Sequence, residues 1–394
     1  MLYFKPFDQI QISDVEQLKN DEVTEGKFLD YKLEPPSPDS KAFLETAIAF
    51  ANSQGGVVVY GVKELRVGNE KTGKIEEVCG FESSAIDSIK GRLENQIRDS
   101  VQPRIEYRMK ELPLPNGKYV LLLRVNQGWQ GPYSYRHQRG LYFYRRAESQ
   151  NVLMDNSEIK THFLSSDTLR DKLKSFHLNR VQDIITQQMP FNMEGEKIFT
   201  AHVLPLDSFK DSTTFSQQAI AQYVASVGPL SSQGYSSRPN IDGVFQYWSS
   251  GQSDHTKPVS YVQYFRNGVV EYGDSMILTN VSGPDRMHIK AFGTKFNPAV
   301  RRAIAYQKSL GLNGPFFLGV SLWNVNGTKV MQGDDPWDND EQMRFDRHHV
   351  HLPIFEIEDA SATEHTLTRP ILDMLCNAAG WDKCMRYDHN GDWS

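Results

Sequence analysis

The 394-residue chain is short of several things, and each shortage excludes a class of protein. It has three cysteines, Cys79, Cys376 and Cys384, an odd number and too few for a disulfide framework. That usage fits a reducing compartment, and a cytoplasmic protein is expected. No apolar run approaches the roughly 18 residues of a membrane span, and the mean hydropathy is -0.52. The opening MLYFKPFDQI lacks the basic-then-apolar pattern of a signal peptide. There is no 20–50-residue period and no low-complexity tract, which excludes repeat architectures. Net basic charge is absent too: 43 Lys and Arg against 49 Asp and Glu give -6. A generic basic coat for nucleic acid is thereby excluded, but a local basic face is not. No G-x-x-x-x-G-K-[ST] occurs, so no ATP site is expected, and no G-x-S-x-G elbow appears.

What is present reads as two domains, by length and by pattern. The prolines and serines of 35–40 break the chain and supply candidate helix caps. From Lys41 to Asn52, Phe43, Ala47, Phe50 and Ala51 recur at helical spacing. Gln54-Gly55-Gly56 stops that helix, and VVVYGV follows as a buried strand. Residues 84–101 read as a helix ended by Pro103. RIEYRMKEL and KYVLLLRV read as strands joined at Pro115-Asn116-Gly117. GLYFYRR, 140–146, reads as one further strand, and SEIKTHFL, 157–164, as a helix capped by Ser157. The expectation is an α+β protein: a mixed sheet with helices over 1–165, a helical linker over 166–194, and a second α+β domain over 195–394. In that second domain IFTAHVLPL, PNIDGVFQYWSS, VSYVQYFRNGVVEYG, DSMILTN and PFFLGVSLWNV read as strands, with Asn267-Gly268 as a hairpin turn. NPAVRRAIAYQKSLGL and TRPILDMLCNAAG read as helices, Pro370 lying near the start of the latter.

Two stretches carry chemistry. GPYSYRHQRGLYFYRRAE, 131–148, holds Arg136, His137, Arg139, Arg145 and Arg146 with no acid before Glu148. Tyr133, Tyr135, Tyr142, Phe143 and Tyr144 interleave with them. Arginine grips phosphate with a bidentate fork, and tyrosine offers a face to unpaired bases. Alternation along one strand puts Tyr142, Tyr144 and Arg146 on one face and Phe143 and Arg145 on the other. Arg104 and Arg108 extend the basic set. The competing reading is a half-buried strand whose arginines pair with acids such as Glu106 or Asp99. The other stretch is EGKFLDYK, 25–32. Its residues 25 and 30 are separated by an odd number, so on a flat strand they point to opposite faces. Either a bulge at Gly26 re-aims one of them or Glu25 precedes the strand.

In order, EGKFLDYK, ETAIAFANSQGGVVVYGV, KIEEVCGF, RIEYRMKEL and GLYFYRRAESQNVLM resemble the AlbA-like domain of the Schlafen family, over residues 20–165. The resemblance implies nucleic-acid binding, and in several members endoribonuclease action on tRNA or other structured RNA, in some settings as antiviral or antiphage defence. It implies three carboxylates on a divalent metal, Mg²⁺ or Mn²⁺. The matching positions here are Glu25, Asp30 and Glu64, with Lys32 beside them to pair with an acid or reach a phosphate. Aspartate at 30 and glutamate at 64 depart from the family pattern. A groove built from two lobes implies a homodimer or a partner-assisted second wall. The alternative is a non-catalytic DNA- or RNA-binding regulator with a sensing C-terminal domain.

Three weaker features remain. Asn52 is expected to cap its helix or bond backbone in the following turn. Asp346, His349 and His351 fall on one strand face, with His348 beside them, as a candidate metal group read as structural. Cys376, Cys384 and His389 lack the spacing of a zinc site. The aromatic second domain, with Trp248, Tyr261, Tyr264, Phe265, Trp323 and Trp337, is expected to form a sheet core.

Overall fold

The computed structural model describes the chain apart from residues 1, 6, 38–40, 69, 187, 190–191, 211–213, 225–226, 250–256, 280–284, 313, 334–342, 358–363, 389–392 and 394. Trp337 and His389 lie outside the described residues. Both halves are α+β, and the chain divides into two compact units, Met1–Thr168 and Leu169–Ser394.

In the first unit, helix α1 (Ile12–Asn20) precedes strand β1 (Leu29–Lys32), helix α2 (Lys41–Ala51) and strand β2 (Gly56–Tyr60). A hairpin of β3 (Val62–Val67) and β4 (Glu70–Val78) follows, then α3 (Ser83–Ser100) and the short β5 (Val101–Gln102). Next come β6 (Tyr107–Pro113), β7 (Tyr119–Val125), β8 (Ser134–His137), β9 (Gly140–Tyr142), β10 (Tyr144–Ala147) and β11 (Gln150–Leu153). The main sheet runs β1-β2-β7-β6, with β1 and β2 parallel across the α2 crossover and the other pairs antiparallel. β2 is buried on both faces, which is why it reads as an unbroken apolar run. Val57 and Val59 join a core with Leu18, Leu29, Tyr31 and Leu122. Val58 and Tyr60 join another with Phe43, Ala47, Phe50, Leu93 and Leu121. Alternation on β1 therefore sends Leu29 and Tyr31 to one face and Asp30 and Lys32 to the other.

Two readings of this unit are corrected. GLYFYRR is not one strand: β9 pairs with β8, and β10 pairs with β11 in a separate ribbon, the break falling at Phe143. The helix after β11, α4 (Asn156–Ile185), is one element of 30 residues rather than two. Its start is capped by Asp155, not Ser157. Oδ1 of Asp155 accepts from the N–H groups of Ser157 and Glu158 at 2.7 and 2.8 Å, and Glu158 Oε2 accepts from Asp155 N–H at 3.0 Å. That reciprocal pair is a capping box.

The second unit is built on β12 (Ile198–Pro205), followed by the short α5 (Asp207–Lys210) and α6 (Gln217–Ala221). Then come β13 (Ser236–Pro239), β14 (Gly243–Trp248), β15 (Ser260–Phe265), β16 (Val270–Asp274) and β17 (Arg286–His288). The chain ends with α7 (Ile289–Ser309), β18 (Phe316–Trp323), β19 (Lys329–Met331), β20 (His349–His351), β21 (Phe355–Ile357) and α8 (Glu364–Asn377). An antiparallel sheet runs β13-β14-β15-β16-β12-β18-β20, with β21 also on β18. Phe199, Ala201, Val203, Val270, Tyr272, Leu318 and Val320 share a core with Phe292, Phe296, Val300 and Ala303 of α7. The expected sheet core is thus present: Tyr261, Tyr264 and Phe265 are buried, while Trp248 and Trp323 are half-buried. DSMILTN is not a strand. Asp274 ends β16, and its Oδ1 accepts from Ile277 N–H at 3.0 Å, turning the chain into a 3-10 segment at Met276–Leu278. The helix at 297 starts earlier, at Ile289, with Pro298 inside it, and Pro370 also lies inside α8.

Candidate nucleic-acid interface and acidic centre

Glu25 precedes the strand. Gly26 and Leu29 pair across a tight turn, Gly26 N–H donating to Leu29 O at 3.0 Å. The turn folds Glu25 back along β1, where Oε1 accepts from Tyr31 N–H at 2.6 Å. The odd spacing of 25 and 30 is resolved by this turn, and no bulge is needed. Glu25 is tied to the β3–β4 hairpin at Gly73: Glu25 N–H donates to Gly73 O at 2.7 Å, and Gly73 N–H donates to Glu64 Oε1 at 3.0 Å. Gly73 holds φ at +71°, a backbone conformation that suits glycine. One glycine thus joins two of the three carboxylate residues.

Burial pushes the Glu25 carboxyl above its ordinary range, and the charges of Asp30 and Glu64 add to the rise. The Tyr31 N–H bond and the Lys32 ammonium oppose it. The order and spacing of the sequence therefore bring Glu25, Asp30 and Glu64 into one electrostatic neighbourhood. Each has one oxygen fixed: Glu25 by Tyr31 N–H, Glu64 by Gly73 N–H, and Asp30 by Arg146 Nη2 at 3.0 Å. The second oxygens differ. Asp30 Oδ2 is buried and makes an ion-pair contact with Lys32 Nζ at 2.6 Å, but no well-directed hydrogen bond. Glu64 Oε2 pairs with Lys71 Nζ at 2.5 Å.

Carboxylate oxygens are the donors that Mg²⁺ and Mn²⁺ take. As they stand, however, these three do not fit a shared ion. Lysine ammoniums hold two of the three outward oxygens, and among the described residues no three His, Cys, Asp or Glu side chains form a metal-holding group. Asp346, His349 and His351 do not form one either. Asp346 pairs with Arg347 at 2.9 Å, and His351 Nδ1 bonds Ser321 Oγ at 2.9 Å.

The basic stretch divides by burial. Arg146 is not a surface contact: its side chain is 2% exposed and paired with Asp30 at 4%. Its guanidinium also donates to Gly26 O, Leu29 O and Asn151 Oδ1 at 3.2, 3.2 and 2.9 Å, and lies over the Phe50 ring at 5.0 Å. It pins the β10–β11 ribbon to the turn that aims Glu25. Arg145 is half-buried and paired with Glu158 at 2.6 Å, and Arg108 pairs with Asp8 at 2.8 Å. Neither uses Glu106 or Asp99.

Arg136, Arg139 and Arg104 are exposed and make no ion pair among the described residues. Arg136 and Arg139 flank the β8–β9 hairpin tip, which turns at Gln138 with φ +52°. Below the tip, Tyr135 stacks on both Tyr142 and Tyr144, with centroids at 5.4 and 6.3 Å. Tyr142 and Tyr144 are half-buried, and Tyr135 O–H donates to Glu45 at 3.3 Å. Arg104 follows β5, whose Gln102 lies opposite Ser134 of β8.

Asn52 bonds backbone, but far from its own turn. It donates to Tyr133 O and Tyr144 O at 2.7 and 2.9 Å and accepts from Tyr133 N–H at 2.7 Å. Ser53 Oγ accepts from Arg146 N–H at 2.8 Å. The A-F-A-N end of α2 therefore sets the position of both tyrosine strands. Sequence reading missed Asn151, Lys71 and Gly73 as parts of this arrangement; only the glycine, in a charged hairpin, carried a local signal.

Residues 25–155, a third of the chain, match the family described as Schlafen, AlbA_2. The match supports nucleic-acid binding. The N-terminal domain of a RecG-related protein from Nitrosomonas europaea, solved by NMR, is 20% identical, covering 38% of this chain and 97% of that one, with a TM-score of 0.28. No curated protein matches. Among the described residues no helix is long and apolar enough to cross a membrane.

Proposed function

We propose, from the premise that residues 25–155 are a Schlafen AlbA_2 domain, that this protein binds nucleic acid through the β8–β9 hairpin. The observation that carries the reading is the placement of two exposed guanidiniums, Arg136 and Arg139, which make no ion pair among the described residues, beside the Tyr142–Tyr135–Tyr144 stack. Guanidiniums free of internal acids are available to phosphate, and a half-buried tyrosine presents one face to a base. The ligand class is structured RNA, tRNA first. A single hairpin covers a short stretch of backbone, so a homodimer, or a partner supplying the other wall, completes the groove. The compartment is the cytoplasm.

Fluorescence anisotropy with labelled tRNA, duplex DNA and single-stranded DNA tests this. Arg136→Ala with Arg139→Ala is expected to weaken tRNA binding at least tenfold with unchanged thermal stability. Unchanged affinity removes the hairpin from the interface.

The second reading is a metal-dependent endoribonuclease using Glu25, Asp30, Glu64 and Lys32. It is favoured by the shared electrostatics of the three carboxylates and by the buried second oxygen of Asp30. It requires Lys32 and Lys71 to release their carboxylates. Total tRNA incubated with Mn²⁺ or with EDTA decides it. Metal-dependent cutting that Glu25→Gln abolishes, with binding kept, supports this reading. Uncut tRNA with every metal leaves binding alone.

A further inference from the structure

The second unit is acidic as a whole, with 21 Lys and Arg against 25 Asp and Glu over residues 169–394. Its charges are not evenly mixed. From Arg286 to Gly333 the chain runs for 48 residues with seven Lys or Arg and no acid. Five of those seven, Lys290, Lys295, Arg301, Arg302 and Lys308, lie on α7, and all five are exposed. A solvated helix ordinarily mixes both signs. α3, of 18 residues, does so with three acids and three bases. α7, of 21 residues, has five bases and no acid.

The core sets where these side chains stand. Phe292, Phe296, Val300 and Ala303 bury one face of α7, and Tyr272 O–H donates to Ala299 O at 3.0 Å. The helix is thereby fixed in rotation. At 3.6 residues per turn, Lys290, Arg301 and Lys308 fall along one line and Lys295 and Arg302 along a second. The exposed positions between the lines are small, Ala291 and Ala305 among them. At 1.5 Å per residue the first line spans about 27 Å. Arg301 and Arg302 make no ion pair among the described residues. Lys295 is partly engaged: its Nζ donates to Ser231 Oγ at 3.2 Å, and its charge acts on buried Asp274. Just ahead of the helix, Arg286 of β17 stands opposite Lys329 of β19, and neither has an ion pair among the described residues. Like charges set opposite one another on neighbouring strands repel, a cost that a shared anion removes.

What α7 withholds also narrows the ligand. Its two amide side chains, Asn297 and Gln307, are wholly buried. Gln307 Nε2 donates to Val203 O and Gly268 O at 2.8 and 3.0 Å, and Asn297 Oδ1 accepts from the Thr368 hydroxyl. Asn and Gln are the side chains that pair with adenine, and neither is available. A line of cations on a fixed helix matches the part of a nucleic acid that repeats along the strand, its phosphates.

We propose that the exposed face of α7 is a second nucleic-acid surface, which holds the phosphate backbone of RNA without reading its sequence. This rests on the reading that the chain binds nucleic acid, but not on the β8–β9 hairpin, because every residue of it lies in the second unit. Arg301 and Arg302 take phosphate oxygens through their forks. Lys290 and Lys308 extend the contact along the strand, and Arg286 with Lys329 receives a further phosphate ahead of the helix.

The test uses the full chain and two labelled RNA duplexes of equal length and unrelated sequence. Arg301→Ala with Arg302→Ala is expected to weaken both complexes about tenfold at physiological salt, and to lower the slope of log K against log salt by about 1.4–1.8. Arg98→Ala on α3, whose arginine is paired with Asp99, is the control and is expected to change neither. Placed in the Arg136→Ala, Arg139→Ala chain, the α7 pair is expected to lower the slope by the same further amount. A hairpin pair without effect therefore removes the hairpin and leaves α7 standing, whereas an α7 pair without effect overturns this proposal whatever the hairpin does. A parent chain that binds neither duplex overturns both. Losses that differ between the two sequences, or capture on phosphatidylserine vesicles that the α7 pair abolishes while RNA binding is untouched, also overturn it. Lysine acetylation of the unmutated chain gives a readout free of any folding defect. Saturating duplex is expected to protect Lys290 and Lys308 but not Lys174, exposed on α4. No protection, or equal protection of all three, overturns the proposal.

Discussion

The Arg146 guanidinium lies 3.0 Å from Asp30 Oδ1, with both side chains almost wholly removed from water. Such a pair is worth little over an apolar substitute, but removing one partner strands a buried charge, at a cost of about 3–5 kcal/mol. Arg146→Met is therefore expected to destabilise the first unit by about that amount, measured by urea denaturation. Arg146→Lys is expected to restore only part, because a lysine cannot reach Gly26 O, Leu29 O, Asn151 and Asp30 at once. A change below about 1 kcal/mol in Arg146→Met would show that the guanidinium spends its time at the surface.

The two hairpin arginines are expected to behave in the opposite way. Arg136→Ala with Arg139→Ala leaves stability within about 0.5 kcal/mol, as surface changes do. In binding titrations over a salt series, losing two phosphate contacts lowers the slope of log K against log salt by about 1.4–1.8. A slope unchanged by the pair of substitutions would place the phosphate contacts elsewhere.

Much of this was legible in the sequence, and the part that was not has physical reasons. Glu25, Asp30 and Glu64 are named through the resemblance to the Schlafen AlbA-like domain, position by position; composition alone reads them as surface acids. Arg146 is set by alternation on the opposite face from Arg145, but nothing local says which of the two faces is buried. Its acid lies 116 residues away, beyond the reach of any local rule. The cap of α4 was within reach: Asp155 and Glu158 stand at capping-box spacing, Asp155 two residues ahead of Ser157. The buried cluster of His177, His202, Glu271 and Ser321 in the second unit was not. His177 and Ser321 are 144 residues apart, and a buried polar sheet face breaks the alternation of apolar and polar residues that sequence reading relies on.

Glu25 offers a test of the acidic centre that needs no ligand. Its carboxyl is raised by burial and by Asp30 and Glu64, so the folded state holds a proton that the unfolded state releases near 4.5. A raised acid costs stability at neutral pH, and that cost disappears as pH falls through the unfolded value. Glu25→Gln keeps an oxygen for Tyr31 N–H and removes the repulsion. Its melting temperature is expected to exceed the parent's at pH 7 and to converge with it below pH 4. A variant less stable than the parent at pH 7 would mean that the Glu25 charge is held by a cation.

Acid stability of the second unit follows from a buried cluster in which His177 meets His202 at 2.8 Å and His202 meets Glu271 at 2.8 Å. His177 falls from 6.5 to about 2 on folding, and Glu271 from 4.5 to about 2. Both are depressed, so both contribute fully above their unfolded values and lose that contribution as pH falls toward 2. Between pH 6.5 and 4.5 only the histidine is in play of these two. There the parent is expected to lose about 1.4 kcal/mol per pH unit more than His177→Gln, one proton's worth of linkage. Parallel curves would mean that His177 takes up its proton in the folded state.

Gly319→Ala isolates the space that the His177 ring occupies against β18. The added methyl would stand 2.8 Å from His177 Nδ1 and 3.0 Å from its Cγ, closer than carbon and nitrogen approach without a bond. The central strand β18 is held on both sides by antiparallel partners, so the ring must move rather than the backbone. Moving it breaks the bonds to His202 and Ser321, and overpacking of this kind costs about 1–3 kcal/mol. The expected result is a destabilised second unit while tRNA affinity is unchanged. An alanine variant with parental stability would show that the strand yields and that the glycine is not what admits the histidine.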